Sequence, residues 1–327
     1  MAEQEKNRKQ QASAADAENR SAEENTKANT KNSKHIKMKV SDTGSVAQAG
    51  SGKTKVVLIV IAIAFVAIML VFPLIAVISN SLSEGLAFYL QSLRTEYVIS
   101  ALKVTLLATA VAVGVNTFFG LIASWVLTRF SFKGRQLLQT LIDIPFSISP
   151  VIAGLAFVMT FGRMGWFTPV IDKLNAFLGT DIQIVFAIPG VLLATIFVTF
   201  PFVSREIIPV LNATGTDEEE AAALMGARGL QIFRRITLPN MKWALVYGII
   251  LCAARALGEF GAVNALSKTR GETFTLPLEI DALYLSGSAD SITSAFAASS
   301  ILVIIAVVVL VIRNIVEYRA KKSGAQS

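Results

Sequence analysis

The chain has 327 residues, of which 53% are apolar, with a formal net charge of +7, one cysteine and one histidine. That balance lies beyond an ordinary soluble domain and marks an integral membrane protein. Cys252 and His35 stand too far apart to build a transition-metal site or a Cys/His nucleophile pair, a lone cysteine excludes an intramolecular disulfide, and the basic excess reads as membrane orientation rather than nucleic-acid binding.

Residues 1–55 are rich in Lys, Glu, Asn, Ala, Ser and Gln and contain no aromatic residue, so they bury too little surface to offset ordering entropy and are predicted to be a polar, disordered N-terminal extension. Within it, AQAGSGKT at 47–54 matches a relaxed phosphate-binding loop. A working loop needs a strand before it and a soluble helix after it, and here a polar tail precedes and an apolar run follows, so the match is read as chance plus the juxtamembrane Lys53 and Lys55.

The first span is predicted from Val56 to Ser79, within a segment 56–97 that includes an outer loop. Further spans follow over 102–127, 137–161, 184–203, 243–266 and 292–315, making six helices, each long enough for a hydrocarbon core of about 30 Å. Lys and Arg crowd one side: Arg129, Lys133, Arg135, Arg205, Arg228, Arg234, Arg235, Lys242 and the tail at 317–327. The positive-inside rule therefore places both termini and the 204–242 loop in the cytoplasm, where Asn212-Ala213-Thr214 would never meet a glycosylating enzyme. Pro73, Pro145, Pro150, Pro189 and Pro201 lie in or at the ends of spans and are expected to kink or interrupt them, for transport or simply for packing.

The loop 204–242 holds the most polar stretch inside this apolar chain. Glu218, Glu219 and Glu220 lead into AAALM, a good helix former whose start favours carboxylates. Gly226 breaks that helix, a second amphipathic piece runs from Leu230 to Ile236 with Phe233 on its apolar side, and Leu238-Pro239 turns the chain back toward the membrane. Ala221 and Ala222 allow another surface to approach closely. The pattern reads either as a helix-turn-helix knob for a partner's groove or as amphipathic pieces lying on headgroups.

The residues resemble the cytoplasmic EAA motif of ABC-importer permeases: Glu220, Ala221 and Ala222, then Gly226 and Ala227, then Phe233, Ile236, Leu238 and Pro239 stand at the family's spacing. The resemblance runs over the core at 98–316 and narrows through TRFSFKGRQLL (128–138), DIPFSISPVIAGL (143–155), TFPFVSREIIPV (199–210), ARALGEFGAV (254–263) and RGETFTLPLEI (270–280) to the CysW-type permeases of sulfate/thiosulfate importers. The polar leader and the NALSKT loop before Arg270 depart from that pattern. The resemblance implies an all-α, MetI-like type I importer fold with six transmembrane helices, multi-pass in a bacterial inner membrane, whose EAA loop is a coupling helix docked on a separate ATPase. It also implies a CysT-type permease partner, two copies of a CysA-type ATPase and an extracytoplasmic sulfate-binding protein. ATP and Mg²⁺ would be held by the ATPase subunits, leaving this chain non-catalytic and without a cofactor, metal or nucleotide of its own.

Arg255 and Glu259 fall inside the fifth predicted span, four residues apart and so expected on one helix face. Charges there face protein or water rather than lipid. Two readings stand: Arg255 meets a passing tetrahedral dianion while Glu259 keeps the empty site from being a trap, or the two form a structural ion pair. Asp143 and Asn116 are weaker candidates, Asn116 being expected to bond a neighbouring helix. Other readings are a molybdate or tungstate permease and, in a different class, an ion-coupled secondary anion transporter that uses the Arg255 and Glu259 charges.

Overall fold

The computed structural model describes residues 52–324; the polar leader up to Ser51, including His35 and most of the phosphate-loop look-alike, and the last three residues lie outside the described part. The chain divides into two compact units, Met1–Met69 and Leu70–Ser327. The described part of the first is α1 (Gly52–Val66) and the start of a π-helical turn over Ala67–Val71, with exposed apolar side chains throughout, as a lipid-facing helix requires. The turn comes just before Pro73, whose ring and missing N–H disrupt α-helical spacing to the preceding turn.

The second unit continues with α2 (Phe72–Ser81), α3 (Gly85–Leu93), α4 (Glu96–Arg129), α5 (Arg135–Ser147), α6 (Pro150–Phe161), α7 (Thr168–Leu178), α8 (Ile188–Thr199) and α9 (Pro201–Thr214). It is completed by α10 (Asp217–Leu224), α11 (Gly229–Ile232), a second π-turn at Phe233–Thr237, α12 (Leu238–Leu257), α13 (Gly261–Leu266), α14 (Leu276–Leu285) and α15 (Ala289–Gly324). No strand occurs among the described residues. Among the described residues five helical stretches are long and apolar enough to cross a membrane, and a bent pair raises this to as many as six.

Three expected spans take a different form. The third, at 137–161, is two helices bent by 109°. Pro150 disfavours helical backbone at Ser149, and both Ile148 and Ser149 are extended, with ψ of 135° and 132°. The fourth runs over α8 and α9 to Thr214, well past Val203, because Pro201 occupies a first-turn position where its missing N–H costs nothing. The expected 204–242 loop is accordingly helical at both ends. The fifth ends at Leu257 and resumes at Gly261, so Arg255 and Glu259 do not share one continuous helix.

Small residues let the remaining helices close. Val203, fully buried on α9, lies between two glycines: a Cβ on Gly120 of α4 would stand 3.0 Å from its Cβ, and one on Gly248 of α12 would stand 3.0 Å from its Cα. Around it Ile207, Leu211, Met241 and Cys252 form one apolar cluster. A second cluster joins Val104, Val191, Val263 and Leu278, and a third joins Ala194, Val198, Ala262 and Leu266, so the short α13 is packed into the bundle. A Cβ on Gly154 of α6 would come within 2.5 Å of the Ala262 carbonyl, which fixes the bent pair against α13.

Candidate functional site

The polar loop folds as two short helices with a sharp turn. Four carboxylates, Asp217 to Glu220, occupy the first turn of α10, where they meet the positive end of the helix. The Thr216 hydroxyl donates to Glu220 Oε1 at 2.7 Å, and the Glu220 amide donates to the Thr216 carbonyl at 2.9 Å, so Glu220 secures the helix start. At the other end the Gly226 amide donates to the Ala223 carbonyl at 2.9 Å and the Ala227 amide to the Ala222 carbonyl at 3.0 Å, a Schellman closure. Gly226 sits at φ +87°, which is why a glycine stands there.

The turn thrusts apolar side chains into the open: Leu224 is 91% exposed, Met225 83% and Leu230 79%. Ala221 is exposed beside them, whereas Ala222 is buried against the fold. Ile232, Phe233 and Ile236 are half-buried while Arg234 and Arg235 are exposed, the division expected from the sequence. Phe233 lies 5.2 Å from Trp125 of α4, and with Leu238 it packs on the Val203 cluster. The π-turn at Phe233–Thr237 precedes Pro239 as the first precedes Pro73.

Glu219, only one of four adjacent carboxylates in the sequence, holds this loop to the bundle. Its carboxylate accepts from Arg129 Nε at 3.0 Å and from the Thr237 hydroxyl at 2.8 Å. Arg129 Nη1 also donates to the Leu211 carbonyl at 3.0 Å. One guanidinium and one carboxylate thus tie the loop to the end of α4, the last turns of α9 and the start of α12. Asn240 donates to Glu218 at 2.8 Å alongside. The sequence marks Arg129 only as an orientation-setting cation and Thr237 not at all, since nothing local shows that Glu219 finds partners 90 and 18 residues away.

Arg255 Nη1 and Glu259 Oε2 are 2.6 Å apart, with Glu259 almost fully buried and the Arg255 side chain 32% exposed. Glu259 Oε1 also accepts the Ala262 amide at 3.0 Å, so this carboxylate fixes the restart of the chain at α13 as well as pairing with Arg255. Asn116 is fully buried and donates to the Ile196 carbonyl at 3.1 Å and the Thr199 hydroxyl at 2.8 Å, bonding a neighbouring helix as expected. Asp143 accepts from Arg205 Nε at 2.8 Å.

The RGETFTLPLEI stretch is a charged lock. The Arg270 guanidinium grips fully buried Glu279 in a fork, with Nε 2.9 Å from Oε2 and Nη2 2.5 Å from Oε1, and lies 4.6 Å over the Tyr97 ring. Hydrogen bonding to Glu279 pushes the Arg270 pKa up from its ordinary value, so its charge persists at any working pH. The Ser100 hydroxyl donates to the Gly271 carbonyl, and the Leu276 amide donates to Thr105 Oγ1 at 2.7 Å, closing the segment onto α4. Among the described residues no cluster of His, Cys, Asp and Glu is arranged to hold a metal ion.

Residues 116–322 match the family described as binding-protein-dependent transport system inner membrane component. The chain is 43% identical to the sulfate transport system permease protein CysW of Escherichia coli (strain K12), over 77% of this chain and 84% of the relative. It is 39% identical to the sulfate transport system permease protein CysT of Salmonella typhimurium, over 61% of this chain and 70% of the relative. In solved structures, a chain of a bacterial alginate ABC transporter in complex with alginate pentasaccharide-bound periplasmic protein superposes with a TM-score of 0.67 at 20% identity, covering 82% of this chain and 95% of that one.

Proposed function

The chain belongs to the binding-protein-dependent transport system inner membrane component family, and from that premise we propose that it is the CysW-type permease subunit of an ATP-driven importer, forming half of the membrane path for sulfate or thiosulfate. The observation that carries the mechanical part is the exposed apolar turn at Leu224, Met225 and Leu230, joined through Glu219 and Arg129 to three helices of the bundle. An apolar knob of this kind needs a partner to cover it. The sulfate reading is supported by the relatives, which are named for sulfate transport and resemble the chain over most of its length.

In this reading the knob sits in a groove of a separate ATPase subunit, both termini and the 204–242 segment are cytoplasmic by the excess of Lys and Arg, and the membrane is the bacterial inner membrane. One chain carries one such knob, so the complete path takes a second permease of the CysT type, two copies of a CysA-type ATPase and an extracytoplasmic sulfate-binding protein. ATP and Mg²⁺ belong to the ATPase subunits, and this chain performs no hydrolysis. Closure of the ATPase pair draws the knobs together, and because Glu219 and Arg129 join the knob to α4, α9 and α12, those helices move with it as a rigid body. Arg255 offers a cation to the passing dianion, while Glu259 keeps that contact weak.

The test is uptake of labelled sulfate, thiosulfate and molybdate by the complete complex in vesicles, with ATP inside and the binding protein outside. ATP-dependent sulfate uptake is expected. Uptake that follows a proton gradient with no nucleotide present would sink the importer reading, and movement of molybdate alone would reassign the oxyanion.

A further inference from the structure

Resting on that reading, we infer that Arg205 and Asp143 form a second anion contact on the translocation path, inward of Arg255, with Asp143 the counter-charge that an arriving tetrahedral dianion displaces. Arg205 is on α9, about 25 Å along the continuous stretch from Ile188, and stands at the start of the 204–242 segment, so in that reading it lies at the inner end of the fourth span. Its side chain is 49% exposed, and that of Asp143 36%. Charges at the end of a span turn to water or protein rather than to hydrocarbon. The exposed edge of this pair therefore faces water or another protein.

The geometry leaves the guanidinium half open. Arg205 Nε is spent on Asp143 at 2.8 Å, and its guanidinium carbon lies 4.1 Å from the centroid of the Phe146 ring, with the Phe202 ring 4.9 Å from that of Phe146. Among the described residues, neither terminal nitrogen of Arg205 has a hydrogen-bond partner. The Phe146 ring, itself backed by Phe202, thus lies against the side chain while the nitrogens best suited to a fork with a sulfate-like oxyanion stay unoccupied. Arg255 repeats the arrangement: one nitrogen on a carboxylate and a partly exposed remainder.

The two arginines are linked in space. The antiparallel register of α9 against α12, fixed by Val203 at Gly248 and by Cys252 Sγ donating to the Thr199 carbonyl at 3.8 Å, separates them by about 13 Å along the helix axis. The bent pair spans that interval: α5 supplies Asp143 to Arg205, and Pro150 at the start of α6 lies against Gly261, two residues from Glu259. A dianion released from Arg255 thus meets a second guanidinium further in. Each carboxylate keeps its arginine from holding the anion too long, as conduction through successive sites requires.

The complete complex in vesicles, with ATP inside and binding protein outside, tests this with labelled sulfate and molybdate. R205Q is expected to lower uptake per ATP hydrolysed at least tenfold while ATPase stimulation by the loaded binding protein stays within twofold, and R205K to restore part of the ratio. D143N, which removes the competing carboxylate, should make sulfate preloaded inside the vesicles inhibit uptake at a concentration at least fivefold lower. An assembled R205Q complex that keeps the wild-type ratio overturns the inference and leaves the sulfate-permease proposal standing. If R205Q does not assemble, D143N decides: the fivefold shift supports the second contact and unchanged inhibition overturns it. A wild-type complex that moves neither oxyanion overturns proposal and inference together.

Discussion

Glu219 Oε2 lies 2.9 Å from Arg129 Nε, joining the polar loop to the end of α4 in a pair whose side chains are only 16% and 8% exposed. Because the carboxylate also takes the Thr237 hydroxyl and the guanidinium the Leu211 carbonyl, the loop cannot tilt without disturbing three helices. The proposed coupling role would need that stiffness, since a stroke delivered to a loose loop would be lost in it.

Removing one partner of such a pair strands the other in a dry site. E219A is expected to destabilise the protein by about 3 kcal/mol, and R129A by at least as much because the Leu211 carbonyl also loses its donor. E219Q, which keeps an acceptor for Arg129 and Thr237, should cost less. Denaturant unfolding of the protein in nanodiscs ranks the three. In the assembled complex, E219A should also lower uptake per ATP hydrolysed.

Gly226 separates conformation from space. A Cβ there would meet nothing within 4 Å, so the cost of G226A comes from φ +87° alone, about 1 kcal/mol. The fold should survive while the turn reshapes and ATPase coupling falls. L224D and M225D, at positions more than four-fifths exposed, should leave the unfolding midpoint unchanged and abolish co-purification with the ATPase. Retained co-purification in both would refute the docking role of this turn.

The Arg270 and Glu279 pair is asymmetric, with a fully buried carboxylate and a guanidinium whose side chain is 40% exposed. R270A leaves a buried charge uncompensated and should cost about 3 to 5 kcal/mol, whereas E279Q leaves an arginine that can still reach water and should cost less than half of that. R270K cannot reproduce the fork and should fall between them. The pKa of Arg270 is raised on folding, so its contribution is fully present below the ordinary arginine value and is lost only as pH rises beyond it. Thermal unfolding in nanodiscs between pH 6 and pH 9 should therefore show no loss traceable to this pair.

At the Val203 contact, G248A places a methyl 3.0 Å from backbone and should destabilise by about 1 to 3 kcal/mol. G114A, on a helix position with nothing within 4 Å, should be neutral or slightly stabilising. Equal effects in the two variants, read by denaturant unfolding, would show that close helix approach is not what fixes Gly248.

Much of the fold is legible along the chain because its causes are local. Apolar runs of spanning length, prolines at helix starts, and a glycine closing a short acidic helix act over a few residues, so the membrane class, the approximate positions of the spans and the helix-turn-helix around Gly226 can be read directly. The helix break after Leu257 is harder to see, since Gly258 and Phe260 look permissible inside a helix and only Glu259 capping the Ala262 amide shows why the chain restarts there. Pro150 announces a disturbance, but a bend of 109° depends on what α6 packs against.

Composition and short-range pattern determined that this protein is a helical membrane protein with a polar, knob-like loop, because hydrophobic span length, caps and breakers are properties of neighbouring residues. Tertiary structure alone decided which carboxylate of the Glu218, Glu219 and Glu220 run faces Arg129, which arginines keep an open edge, and that Glu279 is the buried counter-charge of Arg270. These pairings bring together groups far apart in the chain, or on opposite sides of a turn. Their energies depend on burial and angle, which no local pattern encodes.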